Sequence, residues 1–174
     1  MMTRDLSGPG QTRAIRDLLQ SLFVCELVRP SQPLWLFFAW VTDIEVVDNS
    51  ARQFSALCPD WPAAPIRLST VLDGLLTRGG SVNVVLRQDP HNHAFVARLQ
   101  GLRQRHGTAS VKWCIRPEFH EKGMLGDGYV LTGSMNLTVS GLTVNDEHII
   151  LRCDPAMVAQ RRIELASKWG HQLQ

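Results

Sequence analysis

From Gln11 to Val28 the apolar residues Ile15, Leu18, Leu19, Leu22, Phe23 and Leu27 recur three and four apart, which places them on one face of a helix that ends at Arg29-Pro30. The pattern then changes. "LWLFFAWV", Leu34 to Val41, is continuously apolar and bounded by prolines before it, which predicts a strand buried on both faces. The polar stretch "TDIEVVDNS" that follows reads as a solvated turn, and Pro59, Pro62 and Pro65 predict a loop. Helical spacing returns at Leu68, Val71, Leu72, Leu75 and Leu76, stops at Gly79-Gly80, and gives way to a strand at Val82 to Leu86. A further helix with Phe95, Val96, Leu99 and Leu102 precedes a strand at Val111 to Arg116. Two short runs, Lys122 to Leu125 and Tyr129 to Thr132, flank Gly126-Asp127-Gly128 and predict a hairpin. His148 to Cys153 reads as a last strand, and Asp154-Pro155 opens a closing helix with an N-cap and a first-turn proline.

Helix and strand alternate in a way that predicts an α/β fold, with a mixed, mostly parallel sheet flanked by helices on both faces and parallel pairing in its first half. With 174 residues and no repeat, linker or low-complexity tract, a single domain over 1–174 is expected. A formal charge of +2 is too small for polyanion binding by bulk electrostatics, so any nucleic-acid contact must come from local placement of Arg and Lys. The apolar run Pro33 to Val41 falls short of the ~20 residues that cross a bilayer, and no basic and apolar leader opens the chain. A cytoplasmic protein without membrane partners is expected. Cys25, Cys58, Cys114 and Cys153 are widely spaced in or beside apolar segments, without a C-x-x-C pair, and read as reduced core thiols.

One stretch departs from this pattern. "HEKGMLGDGYVLTGSMN", residues 120 to 136, keeps His120, Lys122, Asp127, Ser134 and Asn136 among small and apolar residues. Period-two alternation puts His120 and Lys122 on one face, and Gly133 permits a bend that turns Ser134 and Asn136 toward the same place. These groups are predicted to meet at one end of the sheet. A neutral imidazole can attack phosphorus, an ammonium can neutralise non-bridging oxygens, and Ser and Asn can hold those oxygens by hydrogen bonds. Together they support displacement through a phosphohistidine with no metal and no cofactor. Glu147, at the start of the next strand, offers a carboxylate to fix the imidazole tautomer.

His120-x-Lys122, four residues, Asp127, then Gly133-Ser134-x-Asn136 and Asn145-x-Glu147 resembles the HKD motif of the phospholipase D superfamily. That resemblance covers roughly residues 10 to 172 and is sharpest over 120 to 147. It implies a phospholipase D-like fold, with His120 as nucleophile or leaving-group acid. Lys122 and Asn136 would bind phosphate, Ser134 would support the phosphate site, Glu147 would orient the histidine, and Asp127 would be structural. Five residues lie between Asp127 and Gly133 where the family more often has six, so the turn is shorter than the family pattern. The family's mechanism uses two histidines, and this chain has one motif, which implies a homodimer with both motifs at the two-fold axis. "WVTDIEVVDNS" and "RQDPHN" are further similar to the small phospholipase D-like proteins of bacterial systems that insert 7-deazaguanine derivatives into DNA and restrict unmodified DNA. That similarity implies a DNA substrate and other proteins of a restriction system as partners.

The remaining polar groups have plainer readings. His106 and His171 read as solvated helix residues, His91 and His93 as parts of a helix cap, and His148 as facing away from Glu147. Asp43, Glu45 and Asp48 read as a solvated turn and not a metal site. Arg98, Arg103 and Arg105 fit a phosphate-contacting helix and a solvated face equally well. Three functions follow: a metal-independent phosphodiesterase acting as a DNA nuclease, a phospholipase or other lipid-phosphate hydrolase, and a non-catalytic subunit that binds DNA or a partner. The short chain lacks long apolar loops for a lipid surface, which favours the first.

Overall fold

The computed structural model describes residues 3–7, 10–143 and 147–174. A seven-stranded sheet runs through the molecule in the order β1 (Thr3–Leu6), β9 (Ile149–Arg152), β8 (Val130–Gly133), β7 (Gly123–Leu125), β2 (Leu34–Phe38), β5 (Val82–Arg87), β6 (Val111–Arg116). The helices are α1 (Thr12–Val28), α2 (Leu68–Thr77), α3 (His93–His106), the short α4 (Val139–Thr143) and α5 (Pro155–Trp169).

Alternation along the central strands explains the layers. Leu34, Leu36 and Phe38 of β2 and Val82, Val84 and Leu86 of β5 point into one core with the apolar stripes of α1, α2 and α3. Trp35, Phe37 and Val85 point the other way, against Val158, Leu165 and Trp169 of α5. All five residues of β2 are buried, each large side chain contributing about 2 kcal/mol, which is why this strand reads as an unbroken apolar run. Asp154 caps α5 by accepting from the Met157 N–H at 3.0 Å, as expected.

The mixed α/β sheet with helices on both faces is therefore present, with parallel strand pairing at β2–β5 and β5–β6 and one isolated parallel bridge between Val41 and Leu137. The other four pairings, β2–β7, β7–β8, β8–β9 and β9–β1, are antiparallel. Antiparallel pairing outweighs the expectation because the tight 126–128 hairpin and the short 134–148 return leave no room for crossover helices of the usual length. Two further differences concern weak strands. "TDIEVVDNS" is not a solvated turn: Glu45–Asp48 forms β3 and pairs with β4 (Pro65–Arg67) as a separate two-stranded sheet. Val46 and Val47 are buried there, and Pro65 is tolerated at the strand start. The cysteines are unpaired, but only Cys58 and Cys114 are buried; Cys153 is half-buried and Cys25 is exposed on α1. Burial pushes the Cys114 thiol pKa up to about 11.

Candidate active site

Strand register gathers the site at the carboxyl end of β2. β7 opposes β2 with Leu125 beside Trp35 and Gly123 beside Phe37, so His120 and Lys122, just before β7, lie where Trp40 follows β2. β8 returns to the same end with Gly133 opposite Ile149. The Ser134 N–H donates to the His148 carbonyl at 2.9 Å, and the His148 N–H donates to the Ser134 hydroxyl at 3.0 Å. Gly133 is required by this approach, because a Cβ there would lie 1.9 Å from the His148 carbonyl oxygen.

Four of the sequence-predicted groups and Glu147 occupy this end. The Lys122 ammonium lies 3.2 and 3.4 Å from Nδ1 and Nε2 of His120 and donates to the His120 carbonyl at 2.8 Å. The Ser134 hydroxyl donates to the buried Glu147 carboxylate. Asn136 Oδ1 accepts from the Trp40 N–H at 3.2 Å, which fixes which end of the amide is the acceptor. Desolvation lowers the Lys122 pKa from its ordinary value; the Glu147 charge opposes that shift and Arg87 adds to it. An ammonium and an amide beside an exposed imidazole are groups able to hold phosphoryl oxygens next to a nitrogen nucleophile, while the Ser134 proton is committed to Glu147.

Asp127 does not join them. The short strands of the hairpin, β7 of three residues and β8 of four, carry it to the opposite end of the sheet. There its carboxylate accepts from Arg162 at 2.9 Å and its N–H donates to Ser31 Oγ at 2.8 Å, fastening the turn to α5 and the start of β2. Asn145 lies outside the described residues. His148 faces away from Glu147, with Nε2 2.9 Å from Asp5 of β1.

Other candidates resolve into structural contacts. Asp43 accepts from Ser69 and pairs with Arg98, and Asp48 accepts from the Ser50 N–H, so the three carboxylates of 43–48 are dispersed. The Arg-rich face of α3 is engaged within the chain: Arg105 and His106 meet Asp73, and Arg103 stacks on Trp113. Neither His91 nor His93 provides the expected cap. Asp89 caps the 3-10 turn Pro90–Asn92 that leads into α3, accepting from the His91 N–H at 2.9 Å, while His91 Nε2 lies 3.0 Å from Thr42 Oγ1.

Sequence reasoning missed the frame of the site. Asn92 is 2% exposed; it donates to the Ala39 and Arg87 carbonyls, both at 2.8 Å, and accepts from the Val41 N–H at 2.9 Å. That clamp fixes the backbone around Trp40. The indole meets His120 edge-on, with ring centroids 6.2 Å apart, and carries Lys122 Nζ at 5.9 Å and Arg87 Cζ at 5.6 Å from its centroid. The signal was positional: ligands gather beyond the carboxyl ends of parallel strands, where Trp40 and Arg87 stand.

Comparison with known proteins places the fold. The chain aligns over 99% of its length with Nuc from Salmonella typhimurium, a phospholipase D family member, at 16% identity, TM-score 0.62 and 96% coverage of that chain. NucT from Helicobacter pylori is similar at 14% identity and TM-score 0.64, covering 99% of this chain and 97% of that one. Phosphatidylserine synthase of Haemophilus influenzae gives a TM-score of 0.65 at 12% identity, over 99% of this chain and 39% of its own. At these identities the likeness concerns the fold. A search of curated proteins gives no match. The family profile described as "Cardiolipin synthase, PLD-like domain" matches residues 46–169, most of the chain and all of the described site except Trp40, and by that match the chain belongs to the PLD-like family.

Proposed function

We propose that the protein is a metal-independent phosphodiesterase that cleaves DNA through a phosphohistidine on His120. The observation that carries this reading is the meeting of His120, Lys122, Ser134, Asn136 and Glu147 at one end of a PLD-like sheet. A ring nitrogen of His120 attacks phosphorus as the bond to the leaving oxygen breaks, and a second imidazole supplies the proton that oxygen takes up. Water then attacks the phosphohistidine, giving its proton to the second imidazole and releasing His120. Lys122 and the Asn136 NH2 hold the non-bridging oxygens, Ser134 supports them, and Glu147 orients the histidine. Because the chain has one such stretch, the second imidazole comes from another copy in a homodimer.

The finer reading is a nuclease of a bacterial DNA modification and restriction system, working with other proteins of that system. Its support is the similarity of "WVTDIEVVDNS" and "RQDPHN" to such proteins, and these two stretches meet through the Asn92 clamp and the Thr42–His91 contact. Purified protein is to be incubated in EDTA with plasmid, single-stranded DNA, lipid vesicles and bis(p-nitrophenyl) phosphate. DNA cleavage that vanishes in His120→Ala is expected. Turnover of vesicle lipid without DNA cleavage would replace this reading with a lipid-phosphate hydrolase, and DNA binding without turnover would replace it with a non-catalytic subunit.

A further inference from the structure

Arg87 ends β5 one strand beyond β2, and its guanidinium rests on the same indole that touches His120 and Lys122. Its backbone is held by Asn92, so the side chain starts from a fixed point. Among the described residues Arg87 forms no ion pair. The Asp89 carboxylate lies near enough to feel the Arg87 charge but forms no ion pair with it, and a guanidinium has five N–H donors, so Arg87 can take a further anion. Arg116 stands in register with it at the end of β6, also without an ion pair, and stacks on Trp169. An open cavity of about 660 Å³ joins Arg116 and Trp169 to His120; Glu118 and Glu121 also line it, with Glu121 paired to Arg161 and Lys168. Lys122, Arg87 and Arg116 thus follow one another along the carboxyl end of the sheet, from beside β7 to β5 and β6.

None of this is needed to hold the phosphoryl group under attack, for which Lys122 and Asn136 suffice. We propose that Arg87, carried on Trp40, binds the phosphate adjacent to the one cleaved, with Arg116 continuing the path, so that the protein selects chains of consecutive phosphodiesters over isolated ones. This inference rests on the phosphodiesterase reading for the cleaved phosphate, but not for the binding of its neighbour. A guanidinium offers two parallel donors to a phosphate, and the ring below restricts its motion, so less freedom is lost on binding.

The test compares a fluorescent single-stranded DNA 10-mer with a dinucleotide that has one phosphodiester, in EDTA, by anisotropy and by cleavage. In Arg87→Gln the ratio of kcat/KM for the 10-mer to that for the dinucleotide is expected to fall about 10-fold or more. The slope of log affinity against log salt should shrink by about 1, as for one lost phosphate contact. Arg87→Lys should recover the slope and only part of the ratio. Arg13→Gln, on a fully solvated arginine of α1, should match the wild type. Equal loss on both substrates, or none on either, overturns the proposal. Tighter binding of the 10-mer that depends on Arg87, without cleavage of either substrate, supports the subsite and overturns the phosphodiesterase reading. Absence of both binding and cleavage overturns both.

Discussion

Lys122 is the residue whose chemistry the surroundings alter most directly. Desolvation, strengthened by Arg87 and opposed by Glu147, favours its neutral form, so its charge is lost at a lower pH than that of an ordinary lysine near 10.4. In the proposed mechanism the ammonium neutralises the phosphoryl oxygens. The expected outcome is an alkaline limb in kcat/KM, activity falling as pH rises through the lowered Lys122 pKa. Lys122→Arg, which stays charged, should move that limb to higher pH at reduced overall rate, because a guanidinium does not fit a site shaped for a point charge. Lys122→Ala should cost about 100- to 1000-fold in kcat at neutral pH. An identical limb in the Arg variant would assign it to another group.

At the scale of the element, the ends of β2 and β5 are tied by one buried side chain. Removing the Asn92 amide in Asn92→Ala leaves the Val41 N–H and the Ala39 and Arg87 carbonyls short of partners in a dry interior. A loss of about 3 kcal/mol in urea-unfolding free energy is expected. Asn92→Asp, though equal in size, should be no better, because it places a carboxylate oxygen against two carbonyls; a near-wild-type midpoint for Asp would show that the clamp is not what joins these ends. This clamp also marks where sequence reading stops. The stripes of α1, α2 and α3 and the continuous run of β2 were legible because each buries many residues with one period. β1 was not, since "TRDL" is an exposed edge with one buried residue, nor was β3, where only Val46 and Val47 carry the signal. His120, Lys122, Ser134 and Asn136 could be found because they are close in sequence. Asn92, Trp40 and Arg87 join through contacts spanning about fifty residues, and no local period records them. Asp127 was legible as a turn, and its separation from the site follows only from the strand length on either side.

For the whole molecule, the decisive matter is that the proposed chemistry uses two imidazoles and the motif supplies one per chain. His120 is exposed at the sheet edge, with Trp40 on one side and the open cavity of Arg116 and Trp169 on the other, so a second copy has access to it. In the proposed homodimer both active imidazoles belong to a single shared pocket, and a dimer with one intact chain is inactive or nearly so. Refolding mixtures of wild-type protein and His120→Ala at constant total protein should then give an activity that falls as the square of the wild-type fraction. At equal amounts, about a quarter of the activity remains, not half, because only dimers with two intact chains act. A linear decline would mean that each chain works alone and draws its leaving-group proton from water or from a residue of its own. Since His120→Ala removes an exposed side chain, its folding and its exchange into dimers should match the wild type, and the curve reports the sharing of the site and not a loss of protein.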